Sequence, residues 1–201
     1  MPEPVGHYFE ADPTVPSRPA TVRLDLPDRS LSLTTDRGVF SADGVDPGTK
    51  YLLLEAPAPP STGTFVDLGC GYGPIACTMA LRAPNATVWA VDVNQRALDL
   101  CRTNARALGA TNVRVALAAE VPGDLAVDLL WSNPPIRIGK GALHLLLQTW
   151  LARVTPTGRA VIVVQKHLGA DSLQRWLETE GFGAERLGSR TGYRLLRVTR
   201  P

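Results

Sequence analysis

The rhythm of apolar and polar positions changes near residue 63. Before it, the run TVRLDLPDRSLSLTTDRGVFS alternates apolar and polar residues on both sides of Pro27, Asp28 and Arg29. Val22, Leu24 and Leu26 face one way and Leu31 and Leu33 repeat the alternation, which predicts a β-hairpin. In GVDPGTKYLLLEA, Asp46 stands as an N-cap with Pro47 at the first helical position, so a helix follows. APAPPSTG then breaks the pattern as a turn-rich linker. Residues 1–20, rich in proline and acid, predict an irregular segment on the surface.

After residue 63, short apolar runs alternate with amphipathic ones. The runs TFVDLG, ATVWAVDV, NVRVAL, VDLLWSN and RAVIVVQ read as strands. Helices are predicted over 74–82, over NQRALDLCRTNARALG, over GALHLLLQTWLARV and over ADSLQRWLETEG. In the second of these, Ala97, Leu100, Cys101, Asn104 and Leu108 form one stripe, and Gly109 ends it; Gly181 ends the last. AERLG and YRLLRVTR, joined at 189–192, are too close for a helical crossover and predict an antiparallel hairpin.

Strand–helix alternation builds a parallel sheet covered on both faces. The expected fold is therefore α/β: a Rossmann-like, doubly wound, mostly parallel sheet with a C-terminal antiparallel hairpin and a small N-terminal β-hairpin extension. Residues 1–60 are expected to form the extension and residues 61–201 the main domain. Ligands of such sheets bind outside the carboxyl ends of the strands, where strand order reverses.

Composition narrows the class. Every apolar run is interrupted by charge or proline before it is long enough to span a bilayer, and the N-terminus lacks the layout of a secretory signal, so a cytoplasmic location is expected. Cys70, Cys77 and Cys101 do not form a disulfide framework, and with only His7, His144 and His167 beside them no metal site is expected. The net charge of +2 conceals an asymmetry. Residues 1–132 carry 10 basic and 15 acidic side chains, residues 133–201 carry 11 and 4. A basic C-terminal part suits a polyanion such as RNA, and it equally suits a solvated, soluble face. Only three lysines stand among 18 arginines, Lys50, Lys140 and Lys166, and the strand order places all three towards one rim.

Three motifs carry chemistry. Asp67-Leu68-Gly69-Cys70-Gly71-Tyr72-Gly73 joins a strand to a helix. Its glycines let backbone approach a ligand, and the helix N-terminus offers free N–H groups. The dinucleotide spacing G-x-G-x-x-G is not met, because Pro74 stands at the third position. Asp67 favours a cationic ligand such as S-adenosylmethionine over a pyrophosphate. Asp92, in VDVN with Val93 and Asn94, is placed to accept ribose hydroxyls, or to cap the next helix. Asn133-Pro134-Pro135-Ile136 ends the fourth strand: the Asn133 side-chain oxygen and the Pro134 carbonyl are two acceptors stiffened by proline, a pair that would orient a planar NH2 group. As a turn, Asn-Pro alone would also account for it.

In this order, DLGCGYG, VDVN and NPPI resemble class I S-adenosylmethionine-dependent N-methyltransferases. With His7-Tyr8-Phe9, GVFSADGVDPGTKYLL and NPPIRIGK followed by VVQK, the chain resembles the small-subunit ribosomal RNA guanine-N2 methyltransferase family, in particular its short, single-domain members. The resemblance implies that Asp67, Gly69, Cys70, Gly71, Tyr72 and Gly73 hold the methionine part of the cofactor and Asp92, Val93 and Asn94 its ribose side. It also implies that Asn133, Pro134 and Pro135 present the target amine and that residues 40–50 form a lid. Two departures stand out. The family's acid at the end of the third strand is replaced by Leu117-Ala118-Ala119-Glu120, so Glu120 must reach the adenine from a displaced position or a backbone group must serve. Ile136 replaces the aromatic residue of adenine-specific relatives, which disfavours adenine.

The expectation is an S-adenosylmethionine-dependent N-methyltransferase acting on guanine N2 in small-subunit rRNA, with Ile136, Arg137, Lys140, Lys166 and Lys50 towards the RNA. Adenine N6, a protein glutamine amide or a small-molecule amine are alternative acceptors. A non-catalytic RNA-binding relative is a further alternative, and a nicotinamide-dependent dehydrogenase a distant one. Oligomeric state is not readable from the sequence.

Overall fold

The computed structural model describes residues 14–200, so His7, Tyr8 and Phe9 lie outside the described residues. Residues 14–19 carry no regular structure. The hairpin follows as β1 (Ala20–Leu26) and β2 (Arg29–Thr35), with Val22 opposite Leu33 and Leu24 opposite Leu31. Helix α1 (Pro47–Glu55) starts where the capping pattern puts it: Asp46 Oδ2 accepts from the Thr49 N–H at 2.9 Å.

The main sheet has seven strands: β3 (Thr62–Leu68), β4 (Asn85–Asp92), β5 (Val113–Leu117), β6 (Val127–Ser132), β7 (Val154–Gln165), β8 (Gly183–Arg190) and β9 (Tyr193–Thr199). Their order is β5-β4-β3-β6-β7-β9-β8. β3 to β7 are parallel neighbours, and β9 runs antiparallel to both β7 and β8. Strand order reverses between β3 and β6, and the glycine motif and Asn133 follow these two strands. The crossovers are α2 (Pro74–Arg82), α3 (Gln95–Ala107), α4 (Lys140–Leu151) and α5 (Ala170–Thr179).

Alternation along the strands divides the core into two clusters. Phe65, Val88, Leu129, Trp131, Val161 and Leu195 pack against the hairpin, α1, α2 and α3. Val66, Val91, Leu130, Ile162 and Leu196 point the other way, against α4 and α5. The hairpin thus shares its apolar cluster with the main sheet.

Two local expectations are revised. The helix read through Val154 stops at Leu151, and β7 begins at Val154. Pro156 cannot donate to a helix and pushes Thr155 to extended backbone, so the chain turns earlier and joins β6 through the bond from Val127 N–H to Arg153 carbonyl at 2.9 Å. On α3 the fully buried residues are Ala97, Leu98, Cys101, Asn104 and Ala105, with Leu100 and Leu108 only half-buried.

No helix among the described residues is long and apolar enough to cross a membrane. No group of three or more His, Cys, Asp or Glu side chains among them is placed to hold a metal.

Candidate active site

A cleft of about 390 Å³ opens at the carboxyl ends of β3, β4 and β6. One wall is the glycine loop. Gly69 and Cys70 donate their N–H groups to the Val91 carbonyl at 2.8 and 3.0 Å, stitching the loop to β4. Gly69 and Gly71 line the cleft with φ of 78° and 52°. A Cβ on Gly69 would lie 3.9 Å from both the Asn133 carbonyl and Pro135 Cδ, so the glycine loop and the Asn-Pro-Pro turn stand side by side, and both line the cleft. Ser132 Oγ donates to the Leu68 carbonyl at 2.7 Å and ties the two strand ends together.

Asp92 stands on the next wall. Its Oδ2 accepts from Gly71 N–H at 2.8 Å, and its Oδ1 accepts from Val93 N–H at 2.7 Å and Asn94 N–H at 3.0 Å. A carboxylate has roughly four lone-pair positions, so about one remains for a ligand hydroxyl. Burial pushes the Asp92 carboxyl above its usual range, opposed by these three N–H groups. Capping of α3 falls to Asn94, whose Oδ1 accepts from Ala97 N–H at 3.0 Å, which leaves Asp92 facing the cleft.

Asp67 is fully buried and does not line the cleft. Its Oδ2 accepts from the Ala76 N–H in the first turn of α2 at 2.8 Å, and its Oδ1 has no partner among the described residues. Burial first, and then repulsion from Asp92, push its carboxyl well above the usual range. Cys70, Cys77 and Cys101 are buried free thiols behind the loop.

Asn133 occupies the centre. Its Nδ2 donates to Asp46 Oδ2 at 2.8 Å and to Thr49 Oγ1 at 3.0 Å. Among the described residues nothing donates to its Oδ1. The Pro134 carbonyl accepts from Ile136 N–H at 2.8 Å, which leaves one lone pair. Beyond it the cleft is walled by Leu146, Trp150, Leu168, Gln165 and Tyr193, and Gln165 Nε2 donates to the Tyr193 hydroxyl at 2.9 Å.

Residues 30–197 match the methyltransferase small domain family. The chain belongs to that family. It is 35% identical over 175 residues to an uncharacterised protein, YbxB, of Bacillus subtilis, covering 86% of this chain and 87% of that one. It is 32% identical to the ribosomal RNA large subunit methyltransferase G of Streptomyces coelicolor, covering 81% of this chain and 47% of that one. It is 31% identical to the ribosomal RNA small subunit methyltransferase C of Shewanella halifaxensis, covering 73% and 43%. The chain thus spans under half the length of these two curated rRNA methyltransferases. The fold is similar to that of the Thermus thermophilus 16S rRNA N2 G1207 methyltransferase solved with AdoMet and guanosine. Their TM-score is 0.79 at 21% identity, over 94% of this chain and 52% of that one.

Within this family fold the structure brings Gly69, Gly71, Asp92, Val93, Asn94, Asn133, Pro134, Pro135, Ile136 and Arg137 to one cleft. Cys70 and Tyr72 point inward, with the Tyr72 hydroxyl donating to the Gly44 carbonyl at 3.4 Å, and Gly73 packs on Cys101. Phe40, Ser41 and Asp46 of the expected lid line the cleft. Glu120 is not brought to the wall: its side chain accepts from its own Leu117 N–H at 2.8 Å, and Ala118 lines the cleft instead. The three lysines are not on the wall either. Lys140 and Lys166 follow wall residues closely in sequence, whereas Lys50 acts electrostatically on Asp25 of the hairpin. Leu146, Trp150, Leu168 and Tyr193 were not expected from the sequence. The hairpin expected at 189–192, where Thr191 and Gly192 take φ of 45° and 83°, is what returns a strand to this rim.

Proposed function

We propose that this chain, an S-adenosylmethionine-dependent methyltransferase by family, methylates the exocyclic N2 amine of a guanine in ribosomal RNA of the small subunit. The observation that carries the reading is that the glycine loop and the Asn133 turn meet at one cleft, both lining it.

The residues present fit the cofactor. The open side of Gly69 and Gly71 leaves room that a side chain would fill, Asp92 retains an acceptor position, and Val93 and Ala118 supply apolar wall. Asp92 gives that side of the cleft negative character, which suits a cationic donor and repels a pyrophosphate. When bound, the sulfonium supplies an electrophilic methyl group and takes the electron pair of the broken carbon–sulfur bond.

The chain's own part is positioning. Asn133 Oδ1 and the Pro134 carbonyl accept the two N–H bonds of a planar amine, which turns the nitrogen lone pair towards Gly69. The proton lost after transfer passes to water. Trp150, Leu146 and Ile136 offer apolar surface to a base, and Arg137 at the mouth suits a phosphate. On this reading residues 61–201 form the transfer domain and residues 1–60 its extension, of which the hairpin and α1 pack on it.

The test is transfer of labelled methyl to total RNA from a strain lacking this gene, followed by nucleoside analysis. N2-methylguanosine in small-subunit RNA supports the reading. N6-methyladenosine, or label only in protein or small molecules, overturns the acceptor. In the same assay Asn133→Ala should keep donor affinity within about threefold and lower transfer at least about a hundredfold. Equal loss of both would remove Asn133 from the acceptor side.

A further inference from the structure

We propose that Asp46 and Thr49, in the N-terminal extension, are positioning residues that fix which atom of the Asn133 amide faces the acceptor. The proposal rests on the reading of Asn133 given above.

An amide has an acceptor end and a donor end of almost equal size, and rotation by half a turn exchanges them. Only the oxygen end is useful towards an incoming NH2 group. The nitrogen end would meet it donor to donor. Nothing within the Asn133 turn itself chooses between the two. The choice is made 87 residues away in sequence, where Asp46 Oδ2 lies 2.8 Å from Nδ2. A carboxylate only accepts, so the atom facing it must be the nitrogen. Thr49 Oγ1, at 3.0 Å from the same nitrogen, takes the second N–H. Both donors of the amide are thereby consumed on the α1 side, and Oδ1 is left for the cleft.

The hold is itself braced. The same Asp46 oxygen accepts from Thr49 N–H at 2.9 Å, so capping α1 and orienting Asn133 share one atom. Thr49 is buried, and Gly48 between them lets α1 close down on β9: a Cβ there would lie 2.6 Å from the Tyr193 ring and 2.8 Å from Asp46 Oδ2. The extension therefore reaches the reacting centre through Asn133.

Two replacements separate capping from orienting. Serine caps helices as well as aspartate but is shorter, so Asp46→Ser keeps the Thr49 N–H bonded and withdraws the acceptor from Asn133. Asp46→Asn retains an oxygen of the original reach. The first readout needs no substrate: the Asn133 side-chain NH2 signal in a 15N-labelled sample, assigned by its absence in Asn133→Ala. Its exchange with water should be at least about tenfold faster in Asp46→Ser than in the parent, and close to the parent in Asp46→Asn. The second is single-turnover methyl transfer, expected to fall about tenfold or more in Asp46→Ser at unchanged donor affinity, with Asp46→Asn restoring most of it. In an Asn133→Ala background, Asp46→Ser should cost nothing further. An unaltered amide signal overturns the proposal, as does an equal loss in both backgrounds. Failure of the parent to methylate guanine in RNA would overturn the proposed acceptor, while the amide signal would still decide the hold.

Discussion

Asn104 is a polar residue on the buried stripe of α3, only 1% exposed, and its removal should cost several hydrogen bonds at once. Its Oδ1 accepts from Thr34 N–H at 2.7 Å, and its Nδ2 donates to the Thr34 carbonyl and to the Tyr72 carbonyl, both at 2.8 Å. One side chain thus binds the end of β2 and the middle of the glycine loop to α3. Asn104→Leu keeps the branched shape, though it is larger, and strands one N–H and two carbonyls. A buried group left without its partner costs about 1–3 kcal/mol. Thr34 is half-buried and can recover part of that from water, so the total should be about 2–4 kcal/mol. For a chain of this size that corresponds to a fall in melting temperature of roughly 5–15 °C. The assay is thermal unfolding followed by circular dichroism, with donor affinity by calorimetry at a temperature where the variant is folded. Affinity should weaken too, because the Tyr72 carbonyl lies in the loop that carries Gly71. A melting temperature within about 2 °C of the parent would refute the reasoning, since it would mean that water satisfies all three groups.

Gly73 has φ of 95°, and a Cβ there would lie 2.7 Å from Cys101 Sγ and 3.4 Å from its Cα. Gly73→Ala should lose about 2–4 kcal/mol from left-handed backbone and overpacking together, read by urea unfolding, and an unchanged midpoint would show that α2 shifts freely. The raised carboxyls of Asp67 and Asp92 predict two opposite pH trends. With its folded value above the unfolded one, each contributes stability that is present below the unfolded value and lost as pH rises through the folded value, so the donor-free protein should lose stability upward from about pH 4 across that window. A cationic donor prefers the ionised carboxylates, so its affinity should strengthen over the same rise. Calorimetric titrations from pH 5 to pH 8 on the order of one-unit steps check this, and affinity that weakens with pH would contradict it.

The sheet was legible because buried parallel strands and capped helices leave local marks: Pro47, Pro74, Asn94, Gly109 and Gly181 all punctuate where the sequence pattern puts them. The three motifs were legible as a set because strand order alone sends DLGCGYG, VDVN and NPPI to one edge. What local pattern cannot carry is which side chains meet from distant segments. Asp46 shows its cap to the sequence and hides its second partner, since the same carboxylate satisfies both. Tyr193 reaches the cleft only because β9 inserts between β7 and β8, an arrangement that the hairpin spacing permits but does not dictate. Glu120 misleads for a related reason: an acid near a strand end is read as free to reach a ligand, yet its carboxylate is within reach of an open N–H three residues back and closes on it.

The hairpin and α1 precede the nucleotide-binding motifs and carry none of them, yet they occupy both sides of the glycine loop's support. Asn104 binds β2 to the loop from behind, and Asp46 binds α1 to Asn133 from in front. A deletion of this segment would therefore expose apolar surface of α2, α3 and the main sheet and would at the same time free the loop and the amide. Loss of activity on truncation would accordingly say little about donor binding as such. The point substitutions at residues 46 and 104 are more discriminating, because one should act on transfer at constant affinity and the other on stability and affinity together. If both produced the same profile, the segment would be acting through folding alone, and the separation of roles drawn from these hydrogen bonds would fail.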